Sequence, residues 1–137
     1  MKTWDSDKVC VTYGGVIISG FADGSKVKIA RNEKSWALVV GTDGEGTRSK
    51  SNNRSGKATF MLKGSSKTND VLTGFHELDH TTNAGALPLL IKDLQGTTLA
   101  SGLFWIEGMP DIDIGRENHD CEWVLETDKL TYLVGGV

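Results

Sequence analysis

Proline and cysteine are scarce in this chain, two of each in 137 residues. The two cysteines, Cys10 and Cys121, lie far apart, and no CxxC pair exists. That excludes a zinc site built on paired thiolates. In a reducing compartment two such cysteines are expected as free thiols. No apolar run approaches the roughly 18 residues that a membrane-spanning helix needs. The opening, Met1-Lys2-Thr3-Trp4-Asp5-Ser6-Asp7, lacks the apolar segment of a secretory signal, so synthesis and folding in the cytosol are expected. What the chain does have is glycine, 17 residues, which points to many tight turns and few long helices. With 38% apolar and 24% charged residues it reads as a folded globular protein, one domain spanning 1–137.

The formal net charge of −3 hides an asymmetry. Residues 1–106 carry 13 basic and 10 acidic side chains, whereas residues 107–137 carry 2 basic and 8 acidic. Within the first part, Arg48, Lys50, Arg54 and Lys57 cluster against Asp43 and Glu45. A self-associating subunit can use two such opposite patches head to tail. Two solvated faces would give the same composition.

Apolar residues alternate with polar ones far more often than they follow a helical period. Val9, Val11 and Tyr13 form one such row, and Gly14-Gly15 supplies a two-residue hairpin turn before Val16-Ile17-Ile18. A further turn is expected at Ala22-Asp23-Gly24. Val27 and Ile29, and then Trp36, Leu38 and Val40, read as inward rows of the next strands. Residues 41–56, GTDGEGTRSKSNNRSG, read as a long polar loop without an apolar anchor, of the kind that is functional or mobile. Ala58, Phe60 and Leu62 resume the alternation. Strands are also expected over Leu87–Asp93, Thr97 to Glu107, Cys121 to Glu126 and Leu130 to Val134.

One helix is predicted over 69–81, with Asn69 as its cap and Val71, Leu72, Phe75 and Leu78 on one stripe. Asn83 and Gly85 can end it. About nine strands and one helix make a mainly β fold, a small barrel or sandwich with the helix on its flank.

His76-Glu77-Leu78-Asp79-His80 matches HExxH on that helix, the arrangement in which two histidines bind zinc and the glutamate activates water. The apolar stripe leaves His76 and His80 on the polar face. The extended motif fails, because Asn83 and Ala86 stand where it needs glycine and histidine. His119, Glu107 or Glu117 would have to serve as third ligand, and spacing marks none of them. Two solvated histidines are the plainer expectation, with no cofactor. GxSxG is absent, and no Lys-Ser/Thr closes Gly41–Gly46 as a phosphate loop. Asp111 and Asp113 share a strand face and read as a solvated acidic loop. Residues 41–59 offer no aromatic ring on which a base could stack, and a negative chain repels a duplex at long range.

Several segments together resemble the tail tube protein family of contractile-tailed bacteriophages. They are Gly14 to Gly24, Gly41 through Arg54-Ser55-Gly56, Ser65 to Leu72, Leu87 to Ala100, and Trp105-Ile106-Glu107 followed by Pro110-Asp111. The resemblance runs in order over nearly the whole chain. The histidines of the HExxH segment depart from it.

The resemblance implies a barrel or sandwich with a flanking helix, similar to the tube protein of type VI secretion. It implies six subunits joined edge to edge in a ring, and rings stacked into a hollow tube inside a contractile sheath. Double-stranded DNA would pass down the bore without specific binding. The implied partners are the chain itself, the tail sheath protein, and the tape measure, baseplate and neck or terminator proteins. No membrane is among them. The implied location is the virion tail, assembled in the host cytoplasm. On that footing the 41–56 segment, with Arg48, Lys50, Asn52, Asn53 and Arg54, is expected to stack rings against an acidic surface. That surface would come from Glu107, Asp111, Asp113, Glu117, Asp120 or Glu122. A mainly acidic or polar bore is expected. A Cys10–Cys121 bond between subunits would strengthen such a tube, although two reduced thiols remain the simpler expectation. A small metalloprotease using His76, Glu77 and His80, and a small ligand-binding barrel, are the competing readings.

Overall fold

A computed structural model describes residues 1–5, 8–22, 27–112, 114–116 and 119–136. In chain order the elements are β1 (Val9–Tyr13), β2 (Val16–Ile17), β3 (Val27–Arg31), β4 (Trp36–Val40), β5 (Gly46–Lys50), β6 (Gly56–Lys63), α1 (Thr68–Thr82), β7 (Leu87–Asp93), β8 (Leu99–Ile106), β9 (Asp120–Thr127) and β10 (Thr131–Leu133). Asp23, Gly24, Asp113 and Glu117 lie outside the described residues.

The main sheet runs β2-β1-β7-β8-β9-β6-β3, with β10 also on β8, and every pair in it is antiparallel. Among the described residues its two end strands, β2 and β3, do not pair with each other, so the sheet does not close into a barrel. The fold turns at β8. Residues Leu99–Ser101 of β8 pair with β10, and Trp105 and Ile106 pair with β9. Gly102 stands at this change of partner. A Cβ there would sit 3.1 Å from Phe104 and 3.2 Å from the Lys129 carbonyl, a tight fit against the chain before β10.

The predicted alternation holds along β6, where Ala58, Phe60 and Leu62 are buried. Phe60 lies opposite Trp123 and Ala58 opposite Leu125, so large and small side chains interleave across the strand pair. Val11 and Tyr13, Leu89 and Ile91, and Phe104 and Ile106 fill the same core from the other strands. Gly14 and Gly15 have φ of 58° and 84°, the two positive values that a tight hairpin turn demands. A Cβ on Gly14 would also press on Leu87 and Phe75, at 3.0 and 3.1 Å.

The helix spans 68–82, one residue longer at each end than predicted. Its cap differs. Asn69 does not close the first turn; its Oδ1 accepts from Trp123 Nε1 at 2.9 Å and its Nδ2 donates to the Lys63 carbonyl at 3.0 Å. A buried indole N–H needs a polar partner, and Asn69 supplies it. Leu72 is fully buried and Phe75 packs edge-on to Tyr13, but Leu78 is half exposed, so the stripe covers only the N-terminal turns. The predicted stop holds. Asn83 is left-handed at φ 57°, and Asp79 Oδ1 accepts from Gly85 N at 2.9 Å.

The largest departure lies between β3 and β6. These neighbours are joined by residues 32–55, which are not a loop but a second, two-stranded sheet of β4 and β5.

Candidate assembly interface

The β4–β5 arm pairs Trp36 with Lys50, Leu38 with Arg48 and Val40 with Gly46. All ten residues of its strands are exposed. Trp36, Leu38 and Val40 therefore do not face the core as the alternation predicted. Their exposures are 46%, 72% and 58%, and Val39 on the other face reaches 62%. Alternation sets which side chains share a face; it does not say that the face is covered.

The arm is ordered at both ends. At its base Asn32 donates from the backbone to the Ser55 carbonyl at 3.1 Å and from Nδ2 to Ser55 Oγ at 2.9 Å. Ser51 N donates to the Ser35 carbonyl at 2.8 Å. At the tip Gly41 N bonds the Glu45 carbonyl, Asp43 Oδ1 accepts from Glu45 N, and Gly44 takes φ of 86°. A lone two-stranded hairpin with apolar residues in water is marginal by itself and marks a contact surface.

The basic cluster is split. Arg48 and Lys50 lie on the arm. Asn52, Asn53 and Arg54 lie in the segment between β5 and β6, where the Asn53 side chain accepts from Ser55 and the Arg54 carbonyl accepts from Arg31 and from Leu130 N. Those three form the arm's root rather than its reach.

A groove of about 600 Å³ opens between β3 and the strands β1, β7, β8 and β10. Val27 and Ile29 of β3 form one wall; Val9, Ile91 and Leu133 contribute to the other. Arg31 of β3 lies over Tyr132, a lining residue, with its guanidinium carbon 5.0 Å from the ring centre.

Of the expected acidic surface, Glu107 is already engaged. Lys57 Nζ lies 3.3 Å from its carboxylate and 3.4 Å from that of Glu126, and hydrogen bonds to these two carboxylates raise the ammonium pKa. Asp111 is exposed, and Asp120 and Glu122 are exposed at the start of β9. Asp113 and Glu117 are not described.

The HExxH segment gains no support as a metal centre. Among the described residues no group of three or more His, Cys, Asp or Glu side chains is placed to hold a metal. His80 is exposed, as predicted. His76 is not simply solvated: its side chain is 24% exposed, and its Nδ1 is buried without a hydrogen-bond partner, 3.8 Å from Glu77.

Both cysteines are free thiols. Cys10 is exposed on β1, whereas Cys121 packs against the core opposite Leu62. Burial and the neighbouring Asp120 carboxylate raise the Cys121 thiol pKa.

The sequence marked Trp36, Leu38 and Val40 as an apolar row but as an inward one, and the groove was missed. A signal for the arm was present: GTDGEG is a turn segment set between two runs of strand length. The groove left no signal, because it is made by residues from both ends of the chain.

No protein-family model matches the chain. It is similar to structural protein ORF10 of Pseudomonas phage KPP10, with 31% identity over 122 residues, covering 87% of this chain and 70% of that protein. Its fold matches a chain in the anti-feeding prophage cap, the tube terminating cap, at a TM-score of 0.65 and 10% identity over 97% of this chain and 92% of that one. A chain of the native gene transfer agent virion matches at 0.60 and 10%, over 96% and 100%. A chain from the sheath/tube terminator of an extracellular contractile injection system in its extended state matches at 0.55 and 12%, over 98% and 99%. The chain belongs to the family of bacteriophage structural proteins that includes ORF10 of Pseudomonas phage KPP10.

Proposed function

We propose that this protein is the tail tube subunit of a contractile-tailed phage, a structural part with no catalytic turnover. Six copies close a ring, rings stack into a tube within a sheath, and genomic DNA passes down the bore. The β4–β5 arm carries this reading. Four large apolar side chains stand in water on a hairpin tied at its base and tip, a surface that only another chain can finish. The unpaired edges of β2, β3 and β10 among the described residues need the same completion.

Charge brings copies together. Arg48 and Lys50 on the arm are attracted to the acidic C-terminal quarter of a neighbour, where Asp111, Asp120 and Glu122 are exposed. Glu107 contributes less, being matched by Lys57. The bore is expected to present acidic or polar groups, because each lysine or arginine contact with phosphate would retard the DNA. In the virion the subunit would meet sheath, tape measure, baseplate and neck proteins.

The solved neighbours come from assemblies that include a tube cap and a tube terminator. That favours a second reading, in which the chain ends the tube instead of extending it. Negative-stain microscopy of concentrated protein separates the two. Hollow fibres of indefinite length are expected from a tube subunit, and single rings that never stack from a terminator. A monomer that forms neither in any buffer would overturn both.

A further inference from the structure

We propose that the segment between β8 and β9 of one copy, through Asp111, Ile112 and Ile114, docks on the outer face of β7 and β8 in a second copy. This rests on the self-assembly reading above and names one contact within it, between a loop and a sheet face.

The two halves of the main sheet differ on their outer side. β6 turns Lys57, Thr59, Met61 and Lys63 away from the core, and β9 turns Asp120, Glu122, Val124 and Glu126. That mostly polar outer row is the pattern of a solvated antiparallel face. β7 turns out Pro88, Leu90 and Lys92, and β8 turns out Leu99 and Leu103. Their inward residues, Leu89, Ile91, Ala100 and Phe104, already fill the core. These two strands are therefore apolar on both faces, as strands covered on both faces are. Yet Leu90, Leu99 and Leu103 stand exposed.

The register gathers these side chains into one patch. Pro88 lies opposite Leu103. Leu90 lies opposite Thr12, which in turn lies opposite the exposed Ile17. Lys92 lies opposite Leu99 and closes one end of the patch. It is the charged residue at the outward positions of β7 and β8, and it is exposed, with no ion pair among the described residues.

The segment that follows β8 is its complement in both charge and hydropathy. Residues 107–116 hold three acids and one base. Glu107 is matched by Lys57, which leaves the exposed Asp111 to meet Lys92. Next to it Ile112 and Ile114 are 78% and 87% exposed, more than any large apolar side chain of the arm. Two such side chains in water mark a contact surface, and the opposite charges beside the two surfaces set the register between them.

The occupant is a second copy. Within one chain the segment and the patch are both exposed, so the segment does not cover its own sheet. Every chain then carries both halves of the contact on different surfaces, and such a heterologous joint continues from copy to copy. With Asp111 engaged in this way, Asp120 and Glu122 of β9 are left to the cations of the arm.

Charge reversal tests the contact. Lys92→Glu and Asp111→Lys each place like charges at the joint and are expected to raise the concentration needed for assembly about tenfold. The double variant restores opposite charges and is expected to return to within about threefold of wild type. Both positions are exposed, so circular dichroism should show an unchanged fold. In parallel, Leu90→Cys and Ile112→Cys are combined in a Cys10→Ser, Cys121→Ser background, and assembled protein is oxidised and run on a non-reducing gel. A ladder of covalent multimers is expected. Single charge variants that assemble like wild type overturn the contact, and so does a double variant no better than the worse single one. Polymers in which the 90/112 pair stays uncross-linked, or closes only within one chain, overturn it equally. In those polymers a Leu90→Cys thiol still open to maleimide marks a face left for a different protein, and a protected thiol marks a face covered by another segment. Each of these results leaves the tail assembly standing. Wild-type protein that never polymerises removes the assembly reading and this one with it.

Discussion

Arg48 lies over Trp36, its guanidinium carbon 3.9 Å from the ring centre. The two sit diagonally across the β4–β5 ladder, since Arg48 is opposite Leu38 and Lys50 opposite Trp36. The stack covers one face of an indole that would otherwise be in water and holds the cation in place. At an exposed site it contributes about 0.5–1 kcal/mol, enough to bias the arm but not to fold it. The same cation is the arm's means of long-range attraction to an acidic neighbour. Arg48→Glu reverses the charge and loses the stack. Assembly at low salt is expected to weaken strongly, with the difference from wild type shrinking as salt screens the attraction. The melting temperature of the monomer should hardly move, because all ten residues of the arm's strands are exposed. Light scattering across a salt series checks the first effect and a thermal melt the second. An unaffected assembly at low salt would remove the electrostatic role given to the arm.

A second prediction concerns the joint between helix and sheet. Trp123 is 1% exposed, and its Nε1 donates to Asn69 Oδ1. Asn69→Leu leaves that N–H without its partner, at a cost of about 1–3 kcal/mol. It also frees the Lys63 carbonyl, which accepts from Asn69 Nδ2. Urea denaturation should show a lower midpoint with an unchanged slope. Trp123→Phe combined with Asn69→Leu should recover part of the loss, since the stranded donor is then gone.

Tyr13 gives the fold a pH limit on the alkaline side. Its hydroxyl donates to the Phe104 carbonyl at 2.9 Å, with the Gly85 carbonyl at 3.3 Å. Burial, and then the Asp79 carboxylate, push its pKa up to about 12. An unfolded tyrosine ionises near 10. Between these values the folded state holds more protons than the unfolded state, so stability falls as pH rises. The contribution is fully present below about pH 10 and disappears on approach to 12. Tyr13→Phe should flatten this decline while lowering stability at neutral pH by about 1 kcal/mol through the lost hydrogen bond. Denaturation curves at pH 8, 10 and 11 check both effects.

Much of the body of the fold was legible because its strands obey local rules. Gly14-Gly15 stated its turn, and Ala58, Phe60 and Leu62 stated their buried face. Asn83 and Gly85 stated the helix end. The arm was legible only as an anomaly. β5, GTRSK, has no apolar alternation, so pairing with β4 rather than composition makes it a strand. Trp36, Leu38 and Val40 have the alternation of a core strand, and no local rule says that their cover is missing. Of the basic residues expected on one loop, Arg48 and Lys50 lie on β5, whereas the Arg54 carbonyl accepts from Arg31 and Leu130, neither near it in sequence.

The two thiols should separate in reactivity. Cys10 is exposed on β1. Cys121 is partly buried against the core, and burial followed by the Asp120 charge raises its pKa, so less of it is thiolate at any pH near 8. Reaction of the folded monomer with a small aromatic disulfide reagent should be biphasic. Cys10→Ser should remove the fast phase and Cys121→Ser the slow one. Denaturant should merge the phases by removing the burial that separates them. The same reagent reads the assembled state. If Cys10 lies in a contact between copies, its phase should slow in polymers while that of Cys121 does not change. A bond between Cys10 and Cys121 of neighbouring copies would instead remove both phases until reductant is added, and would require β9 to release Cys121 from its place opposite Leu62.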